Sequence, residues 1–87
     1  MTSWIEQYTE QNERRMKEDR DMILAPLGWP QPKVLHLKTQ PWAKDREYGI
    51  TTAEDVRAQR WRVHIKDTHV IEQFDTLEDM VIRWSVD

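Results

Sequence analysis

The stretch Arg60–Trp84, RWRVHIKDTHVIEQFDTLEDMVIRW, decides the fold. Trp61, Val63 and Ile65 alternate with Arg60, Arg62, His64 and Lys66, so a strand formed here has one apolar face and one basic face. A turn at Lys66 to Thr68 leads into a second apolar segment that ends at Phe74, and Thr76 then offers a helix cap. Two antiparallel registers compete for this hairpin. One pairs Trp61 with Phe74 and Ile65 with Val70 and buries aromatic surface; the other pairs Val63 with Ile71 and Arg62 with Glu72 and makes a charge pair. Trp61, Val63, Ile65 and Phe74 are expected in the core.

The end of the stretch reads two ways. As a helix capped by Thr76, it places Leu77, Met80, Val81 and Trp84 on one apolar face. As a strand, Met80, Ile82, Trp84 and Val86 alternate with Val81, Arg83 and Ser85. The Thr-Leu-Glu-Asp start favours the helix, which leaves Ile82 and Val86 off the core face as neighbouring exposed apolar residues, a pattern that suggests a contact surface.

Upstream, Thr51 and Glu54 match a capping box for a single helical turn before the long strand. Thr39 to Ile50 reads as a long loop with Trp42 and Ile50 as anchors. Lys33 to Lys38 reads as the first strand, with Val34, His36 and Lys38 on one face and Leu35 and Leu37 on the other. The Pro-rich stretch Leu24 to Pro32 must end any preceding helix, because Pro26 drives Ala25 out of the helical region. Trp29 is its packing anchor and a candidate contact residue. Before it, Ser3 and Glu6 open a helix whose arc carries Trp4, Ile5, Tyr8, Met16, Met22 and Ile23, interrupted by Gln11, Asn12, Arg15 and Asp19. Glu10 with Arg14 and Glu13 with Lys17 are spaced for i,i+4 pairs. The expected architecture is α+β: a charged N-terminal helix over 1–25, then a small domain over 26–87 with a three-stranded antiparallel sheet and a C-terminal helix packed on it. The alternative replaces that helix by a fourth strand.

Composition narrows the function. The chain has 87 residues, 38% of them hydrophobic, so five tryptophans must supply much of the core. No cysteine is present, which excludes thiol chemistry and disulfides and favours a reducing compartment. No signal peptide and no run of about 18 apolar residues is visible, so a soluble cytoplasmic protein without a membrane partner is expected. His36, His64 and His69 have no metal-ligand spacing. Glu54, Asp55, Asp67, Glu78 and Asp79 fall in caps, turns or exposed helix rather than a pocket able to tune a general acid or base. With only two glycines there is no phosphate loop. The expectation is a protein that is not an enzyme, with no cofactor, metal or small-molecule substrate.

Net charge is −3, yet Arg57 to Lys66 holds four cations and no acid. Trp61-x-Val63-x-Ile65, a turn, Phe74-Asp75-Thr76-Leu77-Glu78-Asp79 and a closing helix resemble the three-stranded-sheet-plus-helix module of AP2-like domains, including the arm-binding domains of phage integrases. That resemblance implies a sheet laid on DNA, with Arg60, Arg62 and Lys66 at phosphates or base edges. Glu72 and Asp75 on the next strand are expected to offset part of this attraction.

The function expected first is a non-catalytic protein-binding or assembly module acting on another protein or on its own copy. Its contact residues are Tyr8, Met16, Trp29, Trp42, Ile82 and Val86. The Trp-rich, charge-rich style also resembles bacteriophage accessory proteins that bind a host protein. The alternative is a nucleic-acid-binding regulator that uses Arg57, Arg60, Arg62 and Lys66.

Overall fold

The computed structural model describes residues 4–87, with side chains from Glu10 onward. The Ser3–Glu6 capping box and the Tyr8 side chain lie outside the described residues and side chains. The element order is α1 (Trp4–Ile23), a 3₁₀ turn (Pro26–Gly28), β1 (Val34–Thr39), β2 (Tyr48–Thr52), α2 (Ala53–Arg57), β3 (Trp61–Ile65), β4 (Ile71–Phe74), α3 (Leu77–Arg83) and β5 (Trp84–Val86). The five strands form one antiparallel sheet in the order β4-β3-β2-β1-β5.

The α+β architecture with its long first helix and a C-terminal helix is present, but the sheet has five strands where three were expected. The first addition is β2, read from the sequence as loop. Its YGITT sequence lacks the apolar alternation of a half-buried strand because Gly49 and Thr51 occupy its inward positions. A Cβ at Gly49 would come within 2.6 Å of Val63 Cγ1 and 2.9 Å of the His64 carbonyl oxygen, so β2 and β3 approach as closely as they do only because that side chain is absent. The second addition is β5. Both readings of the C-terminal segment are partly right: Thr76 caps α3 by accepting from the Asp79 N–H, and at Trp84 the backbone turns extended and pairs with β1. Residues Leu77, Met80, Val81 and Trp84 still meet the core.

The hairpin adopts the aromatic register, Trp61 opposite Phe74, with the Ile65 N–H donating to the Val70 carbonyl. Glu72 therefore faces Val63, not Arg62. The inner face of the sheet presents Leu35, Leu37 and Val63 to Met80, Val81 and Trp84. α2 begins one residue later than its capping box implied: Thr52, not Thr51, accepts from the Asp55 N–H, because Thr51 is buried in β2.

α1 reaches the core with Met16 and Ile23. Neither Glu10–Arg14 nor Glu13–Lys17 is among the ion pairs of the described residues; the helix is held instead by a buried acid. Asp19, read as an interruption of the apolar stripe, accepts from the Val86 N–H (3.2 Å), Ser85 Oγ (3.3 Å) and Gln40 Nε2 (3.0 Å). Gln40 Nε2 also donates to the Val81 and Trp84 carbonyls, so one amide joins α1, the β1–β2 connection, α3 and β5. Burial of the Asp19 carboxylate and of Gln40 Nε2 is tolerated because each finds partners of opposite hydrogen-bonding sense, whereas Gln40 Oε1 is buried without one.

Candidate functional site

Two surfaces stand out, one apolar and one polar. The apolar one begins with local chain chemistry. Pro26 excludes Ala25 from the helical region, and Ala25 takes φ −121° and ψ 68°. The turn that follows is pinned by Gly28 N–H to the Ala25 carbonyl and Trp29 N–H to the Pro26 carbonyl. Beneath it, the buried Trp29 indole donates to the Met22 carbonyl at 2.7 Å. A turn braced in this way holds Leu27 outward, 96% exposed, beside Leu24, 56% exposed. Together with Pro26, Val56 and Trp61 these leucines line an apolar groove whose polar lining residues are Arg57 and Gln59. Leu27 is the most exposed of the large apolar residues described. Isolated exposed leucines need no explanation; Leu27 differs in standing over an apolar groove on a turn braced from below.

The polar surface is the outer face of the sheet. Register fixes how side chains cross it: Ile71, His64, Ile50 and His36 form a continuous row, flanked by the pairs Gln73–Arg62 on β4 and β3 and Thr52–Val34 on β2 and β1. Lys38 lies opposite Tyr48, whose carbonyl accepts from the Lys66 N–H. Cations and imidazoles thus surround Tyr48 and Ile50 on β2, and the core residues Leu35, Leu37 and Val63 lie on the opposite face.

One end of that face is organised by Asp55, which is 3% exposed. It accepts from Arg62 Nη2 at 2.6 Å and Arg60 Nε at 3.1 Å, and His64 Nε2 lies 3.4 Å away. Burial pushes its carboxyl up, but the hydrogen bonds from Arg62, Arg60, Thr52 and His64 outweigh this and hold it at about 2. The carboxylate ties α2 to β3 and neutralises part of the basic strand. Glu72 does not contribute to that neutralisation. It lies on the inner side, where Arg83 Nε (2.7 Å) and Trp84 Nε1 (3.0 Å) donate to it, and Arg83 also pairs with Glu47. Burial raises its carboxyl, and the bonds from Arg83 and Trp84 bring it below the usual range.

The residues expected at a protein contact do not converge. Met16 is half-buried against the core. Trp29 is a strut under the turn rather than an exposed anchor: it is 6% exposed and its N–H is used internally. Val86 is half-buried rather than an exposed neighbour of Ile82, because the helix ends at Arg83 and Val86 pairs with Leu37 in β5. Trp42 and Ile82 do meet: Trp42 Nε1 donates to the Ile82 carbonyl at 3.0 Å, and Ile82 is 51% exposed. Of the expected nucleic-acid residues, Arg60 and Arg62 are joined at Asp55, Lys66 is exposed on the outer sheet face, and Arg57 stands apart at the apolar groove.

Sequence reading missed Leu24, Leu27 and the burial of Asp55. A leucine set between Pro26 and Gly28 was a usable signal, since a three-residue turn has no interior in which to bury it. Asp55 gave none: a carboxylate after a capping threonine looks the same whether solvated or surrounded by arginines folded back from the next strand. Among the described residues no group of three His, Asp or Glu side chains is placed to hold a metal, and no helix is long and apolar enough to cross a membrane. No family model, no curated protein and no solved structure matches the chain.

Proposed function

We propose that the protein is a non-catalytic binding module that engages another protein, or its own copy, through the groove beside Leu27. The observation that carries this is the 96% exposure of Leu27 in a turn braced from below by Trp29. A rigid apolar projection loses little conformational entropy on contact, which is what makes such a residue effective in an interface. Trp61, half-buried in the groove, belongs to a residue type that dominates contact energies, as does Arg57. Trp42 and Ile82 form a smaller second patch.

Self-association is the simplest form and is read directly by size-exclusion chromatography with light scattering. For that form, the expected result is a dimer that L27D converts to monomer. A wild-type monomer at high concentration removes the self-association form. A partner retained equally by wild type and L27D removes the groove as its site.

A specific observation favours a second reading, in which the outer sheet face binds nucleic acid. Glu72, expected to weaken the basic strand, faces the opposite side and is engaged by Arg83. β2, β3 and β4 lie side by side and α3 follows them, as the AP2-like comparison implies, although α2 intervenes between β2 and β3. Asp55 nonetheless holds Arg60 and Arg62, which leaves Lys66 as the cation of that strand with no ion pair among the described residues. Binding to a DNA duplex at about 50 mM salt, lost steeply as salt rises and weakened by K66E, is the expected signature. Absence of binding at that salt removes this reading.

A further inference from the structure

We propose that the groove takes an apolar peptide segment of a partner protein that carries a carboxylate side chain aligned with Arg57; this rests on the groove being the contact site. The inference comes from the charge left over at its rim. Three arginines lie within six residues, Arg57, Arg60 and Arg62, but only two have ion-pair partners among the described residues. Arg60 and Arg62 share Asp55, and Arg60 also lies 3.9 Å from Glu54. Arg57 is exposed and has no ion pair among the described residues. The groove lining contains no acid: Leu24, Pro26, Leu27, Val56 and Trp61 are apolar, and Gln59 is neutral.

A single unpaired guanidinium beside an apolar floor specifies its ligand in two ways. The floor selects branched or aromatic side chains, which gain by leaving water. The guanidinium selects a carboxylate, which it can bind through two parallel N–H donors, and an occupant that covers the floor also excludes water from that pair and so strengthens it. A basic segment is rejected at the same position, so one residue sets both preference and exclusion. Asp55 does not compete for Arg57, because two arginines and His64 already engage it, and Glu54, three residues back on α2, is paired with Arg60 at 3.9 Å rather than with Arg57.

The test is selection of random linear peptides displayed against the immobilised full chain, with wild type, L27D and R57E as targets. Thermal melts of all three check folding, and both substitutions lie at exposed positions. Wild type is expected to enrich peptides that combine apolar residues with Asp or Glu. Their affinity should fall by about tenfold or more on R57E, which should in turn enrich Lys or Arg. Peptides lost on L27D but lacking acids and indifferent to R57E overturn the carboxylate while leaving the groove as the contact site. Peptides bound equally by L27D overturn the groove itself. No enrichment on folded wild type overturns the proposal that a linear segment is the occupant.

Discussion

Asp19 and Asp55 are both buried carboxylates, and they are satisfied in opposite ways. Asp19 accepts from an amide, a hydroxyl and a backbone N–H that come from residues 21, 66 and 67 positions along the chain. Asp55 accepts from arginines 5 and 7 positions away that are themselves partly open to water. One is a long-range joint made of neutral dipoles; the other is a local joint made of charges. The contrast teaches that burial of an acid says little about its role until the reach and exposure of its partners are known. Loss of Asp19 strands donors that water does not reach, whereas loss of Asp55 leaves arginines that water can still hydrate.

The largest effect should therefore come from D19A, which orphans the Val86 N–H and Ser85 hydroxyl and should cost roughly 3 kcal/mol in chemical denaturation. If D55A costs more than D19A, the ranking of the two joints is wrong. D55A should cost roughly 2 kcal/mol near neutral pH, the value linked to holding this carboxyl below its ordinary range. Its signature is a pH window. Because the folded-state value is depressed from 3.8 to about 2, the stabilisation is complete above about pH 4 and is lost as pH falls toward about 2. Wild type should lose stability through that interval more steeply than D55N, with a residual slope from Glu72, which is also depressed. Parallel pH curves for the two proteins would show that the arginines do not hold Asp55. A smaller effect, about 1 kcal/mol, is expected for T76A, which removes the cap of α3 at a site remote from either acid in sequence. The smallest is L27D, within about 0.5 kcal/mol in thermal or chemical unfolding, since its side chain contributes almost nothing to the folded interior.

Legibility in the sequence followed the range of the interaction that decides each element. The strand around Val63, the Thr76 cap, the end of α1 near Pro26 and the alternation of Leu35 and Leu37 are set by neighbours a few residues apart, and each was readable. β2 was not, because its reason for existing is the space left by Gly49 against Val63 in another strand. β5 was hidden for a related reason. Trp84 satisfies both a helical and an alternating pattern, and only the partner strand β1 determines where the helix gives way. At the candidate site the arginines were visible, but their division between Asp55 and the groove depends on how β3 folds back beside α2.

The Asp19 joint also has a mechanical meaning. α1 and β5 share no covalent neighbour, yet the carboxylate bonds the helix directly to the backbone of the edge strand at Val86. A partner pulling on α1 would load β5 through that carboxylate and α3 through the Arg20–Glu78 pair, so force would enter the sheet at its three-residue edge strand as well as along the chain into β1.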